Sequence, residues 1–275
     1  VSNIVPMNNI FAERYMYIPS IGLCMGVGFF FSWLLQKEVK TSIFNWRSSV
    51  VFIFILLILA LGRVTSERNK VWQNDLTLWL DAVKSEANSS LSHHNLGLVY
   101  FKLKLWDKAL REYNLALQSK VGVSVYSQSR ILYDAGQAYL KKGMLDGAIQ
   151  AFGFAIEINP KQAEYYSDLG IAYGLKGEYE RAIEACLKAL EIDNQLYSVH
   201  YNLALNYIQI GDTDKAIGAY EHYLKKEPDS ASVHVDLGYL YYNKNNYAKA
   251  KEHWLEALEL SGDYQPVREA LKLLE

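Results

Sequence analysis

Residues 163–196, AEYYSDLGIAYGLKGEYERAIEACLKALEIDNQL, contain the pattern that decides the fold. Gly170 is followed three residues later by Tyr173, nine further on by Ala182 and four further on by Cys186. Small residues at such spacings let two antiparallel helices approach closely, while the tyrosine and the residue at 186 fill the space beside them. The stretch therefore predicts a pair of antiparallel helices.

The same pattern occurs five times along the chain. The tyrosines recur at spacings of 39, 34, 34 and 34 residues, at Tyr100, Tyr139, Tyr173, Tyr207 and Tyr241. The small residue before each is Gly97, Gly136, Gly170, Ala204 or Gly238, and the alanine after each is Ala109, Ala148, Ala182, Ala216 or Ala250. We number each repeat so that this first small residue is position eight. The bulky residue or cysteine, at position 24, is then Tyr113, Phe152, Cys186, Tyr220 or Trp254.

This order of residues resembles the tetratricopeptide repeat (TPR). The prediction is an all-α protein, with a right-handed α-solenoid of about five repeats at 89–262. A half-repeat with its helix at 74–86, within a linker at 65–88, and a terminal helix at 263–275 are expected to cap the array, because internal repeats leave apolar faces uncovered. The turns inside three repeats contain Gly143, Gly177 and Gly211. Five extra residues after the first repeat predict a longer loop within 119–129.

Two apolar runs precede the repeats and predict two transmembrane helices within residues 18–64. Ile18–Leu35 has no charge and would span about 27 Å as a helix. Val50–Leu61 is apolar throughout and extends to about Ile43–Val64, with Arg47 and Arg63 near its ends. A buried hairpin of a globular core is the alternative. Two spans would place residues 1–17 and the repeats on one side, and the flanking basic residues do not decide which side.

Composition separates the two parts of the chain. Residues 1–72 carry seven Lys or Arg and three Asp or Glu, whereas the remaining residues carry 21 and 27. Because no strongly basic stretch is present, a nucleic-acid partner is not expected. Cys24 and Cys186 are not placed to pair, so the sequence indicates no disulfide framework. The first residue is Val1, and we expect that an upstream part is missing.

Three histidines at position four, His93, His200 and His234, could suggest a metal site. The other two repeats have Leu132 and Tyr166 there, and no cysteine or carboxylate lies at a ligand spacing. We therefore interpret the histidines as helix-packing residues and predict no metal site.

Position six is a short polar residue in every repeat: Asn95, Asp134, Asp168, Asn202 and Asp236. We call these the position-six residues. On the first helix of each repeat, near the concave groove, they could bond the backbone of an extended polypeptide without reading its sequence. The alternative, left open, is that they bond locally between neighbouring helices. Aromatic residues predicted beside them, Tyr133, Tyr201, Tyr239 and Tyr242, favour a polypeptide over a small polar ligand.

A polar and aromatic segment precedes the first apolar run, AERYMYIPSIG at 12–22. Glu13, Arg14 and Tyr15 lie at the predicted membrane boundary, where charged side chains are costly without a purpose. Arg14 would suit a phosphate and the tyrosine an interfacial layer. An ordinary interfacial anchor is the alternative.

The segment at 12–22, the apolar hairpin, and the pattern of Arg63, Arg68, Trp72, Asp75 and Trp79 before the repeats together resemble the transmembrane and TPR O-mannosyltransferase family. The resemblance covers essentially the whole chain. It implies a GT-C glycosyltransferase with a polyprenyl- or dolichyl-phosphate sugar donor and repeats in the periplasm or ER lumen. It also implies a catalytic acidic pair in spans that this chain lacks, so the chain alone is expected to be inactive. No catalytic residue is expected within this chain.

Two functions therefore remain from the sequence. The first is the acceptor-binding end of a protein O-glycosyltransferase of the O-mannosyl type. The second is a membrane-anchored TPR scaffold without catalysis. Both functions imply a polypeptide partner and contact with membrane lipid.

Overall fold

The structure is a computed structural model that describes residues 28–29, 32, 46–119, 125–262, 265–272 and 274. The described residues form thirteen helices longer than one turn. The chain divides into two compact units, Val1–Ala87 and Asn88–Glu275.

The first unit contains α1 (Trp46–Val71) and α2 (Asp75–Ser85). Asn74 caps α2, because its side-chain oxygen accepts a hydrogen bond from the Thr77 backbone N–H at 2.9 Å. The Thr77 hydroxyl donates back to the Val71 carbonyl at 2.8 Å and joins the two helix ends. A helix was predicted at 74–86, and α2 confirms it.

Large apolar side chains of α1 are exposed from Phe52 to Val64, with exposed fractions between 47% and 67%. Within the described parts of the chain, however, no helix combines the length and apolar character that crossing a bilayer requires. The two predicted membrane spans are therefore not supported by the described residues. Nearly all of the first run, at 18–35, lies outside them.

The second unit is a solenoid of helix pairs. The pairs are α3 (Ser90–Lys102) with α4 (Trp106–Gln118), α5 (Val125–Lys141) with α6 (Leu145–Ile158), α7 (Ala163–Lys176) with α8 (Tyr179–Ile192), α9 (Ser198–Gln209) with α10 (Thr213–Leu224), and α11 (Ala231–Asn243) with α12 (Tyr247–Ser261). A terminal helix, α13 (Gln265–Lys272), follows. Val267 of α13 is fully buried, and Leu271 and Leu274 pack against the core of the last repeats.

The predicted packing at position eight is confirmed. A Cβ on Gly136 would lie 2.5 Å from the Phe152 ring, and one on Gly170 would lie 2.7 Å from the Cys186 sulfur. The five position-20 alanines are fully buried in all repeats. Position eight therefore requires glycine or alanine, because the side chain at position 24 occupies the space beside the first helix.

The intra-repeat turns use a left-handed residue. Gly143, Gly177 and Gly211 have φ values of 76°, 85° and 79°, as predicted for residues just after a helix. In the other two repeats Lys104 and Asn245 adopt the same region, each with φ 59°.

The extra residues after the first repeat are not all loop. Helix α4 ends at Gln118 and α5 begins at Val125, inside the predicted loop. Residues 125–129, VYSQS, contain neither glycine nor proline, so nothing in them stops a helix from beginning early. At 17 residues, α5 is therefore the longest first helix of the array.

Candidate functional site

The position-six residues lie on the first helices of the five repeats, as predicted, but they are not a uniform set. The three aspartates bond side chains of the preceding repeat. In the part of the chain that the structure describes, the two asparagines do not.

Asp134 is almost fully buried, with 3% of its side chain exposed. Its carboxylate lies 2.7 Å from Nε2 of His94 in the preceding repeat and 3.3 Å from Nε of Arg130 on its own helix. Asp134 therefore connects α3 to α5 and offers little surface to a ligand.

Asp168 accepts two hydrogen bonds from α5. The Tyr133 hydroxyl donates at 2.9 Å and the Gln137 amide at 3.1 Å. Burial of the phenol, and then the negative charge of Asp168, raise the pKa of Tyr133 well above its ordinary value. The phenol therefore stays protonated and keeps donating.

Asp236 accepts a hydrogen bond from the hydroxyl of Tyr220 in the preceding repeat at 2.8 Å. Burial raises the pKa of Asp236, although the tyrosine hydrogen bond opposes that shift. For the three aspartates, the structure thus has the local bonding that the sequence left as an alternative.

The asparagines bond differently. The Asn95 amide donates to the Leu91 carbonyl of its own helix at 2.8 Å. The Asn202 side chain faces a cavity of about 330 Å³ between α7 and α9. The Asn206 amide donates to the Asn202 backbone carbonyl at 2.7 Å.

This cavity, which we call the α7–α9 groove, combines amides with apolar side chains. Its lining residues are Ile171, Gly174, Leu175, Tyr179, Asn202, Leu205, Asn206 and Gln209. Leu175 and Leu205 are 65% and 38% exposed. A Cβ on Gly174 would lie 2.8 Å from Oδ1 of Asn206, so glycine is what lets the second helix approach.

The four predicted groove tyrosines are placed unevenly. Tyr133 is buried, stacks on Tyr165 with a centroid distance of 4.7 Å, and contributes to repeat packing rather than to an open surface. Tyr201 is half-buried against Tyr220 and Tyr223. Tyr239 and Tyr242 both pack on the Trp254 ring, and Tyr239 remains 39% exposed.

The position-four histidines take part in helix packing, as predicted, and each contacts the second helix of its own repeat. Nδ1 of His93 lies 2.7 Å from the Glu112 carboxylate. His200 stacks on His222 at 5.0 Å, and Nδ1 of His234 lies 3.1 Å from Nδ1 of His253. Sequence reasoning did not find the partners His222 and His253, although both lie 19–22 residues after a position-four histidine.

Sequence reasoning also missed a set of ion pairs between neighbouring turns. Position 14 of one repeat pairs with position 18 of the preceding repeat. The pairs are Lys142 with Asp107, Lys176 with Asp146, and Lys244 with Asp214. The recurrence of lysine at one position and aspartate at the other was the available signal.

Two further predictions concern single residues. Cys186 is fully buried, as its core position predicted, and burial raises the pKa of its thiol to about 12. Glu13, Arg14 and Tyr15, predicted at a donor-phosphate or interfacial site, lie outside the described residues.

The fold and these sites define an α-solenoid protein whose helix pairs are tetratricopeptide repeats. Family models described as "TPR repeat" and "Tetratricopeptide repeat" match residues 136–177, 163–195 and 201–264. The chain is similar to "Protein O-mannosyl-transferase TMTC3" of Mus musculus, with 26% identity over 170 residues. That match covers 58% of this chain and 18% of the relative.

"Protein O-mannosyl-transferase Tmtc2" of Drosophila melanogaster is 32% identical over 90 residues, which cover 33% of this chain and 9% of the relative. The chain thus spans less than a fifth of the length of these relatives. Among solved structures, MamA is 26% identical with a TM-score of 0.56, over 60% of this chain and 94% of MamA. YrrB, titled a TPR protein with an unusual peptide-binding site, shares the fold at 20% identity and a TM-score of 0.60, over 70% of this chain and 97% of YrrB.

Proposed function

We propose that the repeat array binds an extended polypeptide, with the α7–α9 groove as its centre. The observation that carries the proposal is the groove itself, which is lined by a half-buried Asn202 together with the exposed Leu175 and Leu205. An amide both donates and accepts hydrogen bonds, which is what the backbone of an extended chain requires. The leucines would contact its apolar side chains.

The three aspartates have a supporting role in this proposal. Each already accepts a hydrogen bond from the preceding repeat, and those bonds fix neighbouring first helices in register. Removing one partner of a part-buried bond leaves the other unsatisfied, so changes at Asp134 or Asp168 are expected to act first on stability. Asn95 and Asn202 are the position-six residues that we propose to contact the ligand.

The experiment is fluorescence anisotropy of the full chain in detergent with pooled, labelled decapeptides of random sequence. Asn202→Ala is expected to weaken binding by about 0.5–1.5 kcal/mol, the net value of one hydrogen bond. Asn194→Ala is the matched control, since Asn194 is an exposed amide outside the groove. Unchanged affinity for Asn202→Ala, with a lowered melting temperature, would reject the groove as the binding site.

We further propose that the array works within a membrane-bound, lipid-phosphosugar-dependent protein O-mannosyltransferase and presents acceptor polypeptide on its extracytoplasmic side. The similarity to two O-mannosyltransferases supports this. The run of exposed apolar side chains on α1, together with the uncharged run at 18–35, supports a hairpin of two membrane helices. The whole enzyme would use a polyprenyl- or dolichyl-phosphate sugar.

In this proposal Glu13, Arg14 and Tyr15 lie beside the donor. A guanidinium binds phosphate through two parallel hydrogen bonds, which gives Arg14 the task of holding the phosphate of the lipid carrier. The corresponding experiment is photolabelling of the chain with a benzophenone-bearing polyprenyl phosphate. Arg14→Gln should lose most of the label, whereas Arg63→Gln should keep it. Equal labelling of both variants would reject Arg14 as the phosphate ligand, and a parent chain that takes no label would favour a membrane-anchored scaffold without a donor site.

A further inference from the structure

The turn of the first repeat, Lys102–Trp106, differs from the other four turns in the residue at its left-handed position. It has the sequence KLKLW, with Lys104 at the left-handed position. Three other repeats use glycine there, and the fifth uses Asn245. A lysine has a Cβ that disfavours this conformation, whereas asparagine tolerates it better. Backbone strain at a position where glycine would be unstrained is often associated with a function.

The turn also exposes apolar surface. Leu103 and Leu105, on either side of Lys104, are 51% and 42% exposed. Behind them Trp106 packs edge-on against Phe101 at a centroid distance of 4.9 Å. The two leucines therefore project from a turn that an aromatic pair supports.

The lysines of this turn are not neutralised. Lys102 and Lys104 form no ion pair with any part of the chain that the structure describes. In repeats two, three and five, by contrast, the lysine at position 14 pairs with an aspartate of the preceding repeat. The acid next to the first turn, Asp107, is itself bound to Lys142. The first turn thus combines uncompensated positive charge with exposed leucines.

We propose that the turn Lys102–Trp106 docks on the surface of a bilayer that contains anionic lipids. Leu103 and Leu105 would enter the boundary between headgroups and acyl chains, and Lys102 and Lys104 would contact lipid phosphates. A bilayer surface offers apolar acyl chains beneath anionic headgroups and so matches both the leucines and the lysines, whereas an acidic peptide matches the lysines alone. Each lysine near an anionic surface is expected to shift the docked-to-free ratio about fivefold.

The test uses the full chain in lipid vesicles, with Cys24→Ser and Cys186→Ala and an environment-sensitive fluorophore on Leu103→Cys. Vesicles of phosphatidylcholine alone are compared with vesicles that also contain phosphatidylglycerol, and brominated lipids serve as quenchers. Ile210→Cys is the matched control, because Ile210 occupies the same repeat position and is 40% exposed beside the acidic Asp212. If the chain does not anchor in neutral vesicles, the same probe reports binding from solution.

The expected result is quenching at position 103 in anionic vesicles only and no quenching at position 210. The docked-to-free ratio obtained from the quenching should fall about fivefold with each of Lys102→Gln and Lys104→Gln. Equal quenching in neutral and anionic vesicles would overturn the proposal. So would quenching that is the same in the parent and in both lysine variants. If polyglutamate shifts the probe in detergent while anionic vesicles do not, the turn binds an acidic protein instead.

Discussion

At the scale of single residues, the same repeat position holds side chains with opposite hydrogen-bonding states. Position 24 is Tyr113 in the first repeat and Tyr220 in the fourth, and both are buried. The Tyr220 hydroxyl donates to Asp236 at 2.8 Å. Within the described residues, the Tyr113 hydroxyl is buried with no hydrogen-bond partner. A buried polar group without a partner costs about 1–3 kcal/mol.

This difference predicts that replacing tyrosine by phenylalanine changes the free energy of unfolding in opposite directions at the two positions. Tyr113→Phe should raise the free energy of unfolding by about 1 kcal/mol, because it removes an unsatisfied hydroxyl while keeping the ring. Tyr220→Phe should lower it by a similar amount, because Asp236 loses its donor. Chemical denaturation monitored by circular dichroism measures both. A loss of stability in both variants would show that Tyr113 has a partner after all.

The helical repeats could be predicted from the sequence because their signal is steric. The residue at position 24 demands a glycine or alanine at position eight, and that demand recurs five times. The contacts of the position-six side chains could not be predicted. Whether Asp168 faces a ligand or Tyr133 depends on how two repeats are rotated against each other, which no spacing within one repeat encodes. Asn202 and Asp134 share one repeat position, yet the first faces a groove and the second is buried between helices.

At the scale of helices, glycine has two roles in α5 and α6. Gly136 on α5 faces the Phe152 ring, which a Cβ would approach to 2.5 Å. Gly153 on α6 has open space, because a Cβ added there would meet no neighbouring atom within 4 Å. Glycine therefore permits close helix approach at Gly136, whereas at Gly153 it only weakens the helix.

This contrast predicts that Gly136→Ala lowers the free energy of unfolding by about 1–3 kcal/mol, since overpacking must separate α5 from α6. Gly153→Ala should raise it by about 0.5–1 kcal/mol, because alanine is the better helix former and meets no neighbour. Thermal melts of the two variants beside the parent are the measurement. Similar melting temperatures for both would contradict the position-eight packing.

The paired histidines of the last two repeats predict a pH dependence at the same scale. Burial lowers the pKa of His200 and of His253, and the facing His222 and His234 add to the respective shifts. Around them, Lys225 and Lys249 also lower these pKa values, while Glu221 and Glu252 raise that of His253. The unfolded chain therefore takes up protons at a higher pH than the folded one.

Stability from these groups should be complete above the ordinary histidine pKa of about 6.5 and should be lost as the pH falls through the lowered values. Melting temperatures recorded from pH 7.5 to 5.0 should drop for the parent. His200→Gln and His253→Gln should flatten the profile. A profile that keeps its full slope in the double variant would assign the pH dependence to other groups.

At the scale of the whole molecule, the chain contains a repeat array and a helix, α1, that exposes large apolar side chains from Phe52 to Val64. The array is stabilised by contacts between neighbouring repeats. The composition of residues 1–72 differs, because this part contains two long apolar runs. Long runs without charge are unfavourable in water and favourable in a bilayer, and we therefore propose that both runs cross it.

A hairpin of two spans makes a prediction about sidedness. The loop between the spans should lie on one side of the membrane, and the array on the other. In sealed vesicles of the Cys24→Ser, Cys186→Ala background, a membrane-impermeant maleimide should label either Glu38→Cys or Glu256→Cys, but not both. Glu256 is exposed on α12, so the array site is reactive wherever the reagent reaches it. Detergent should make both sites reactive and serves as the control. Equal labelling before detergent would leave the array and the loop on one side, which a complete second span between them does not allow.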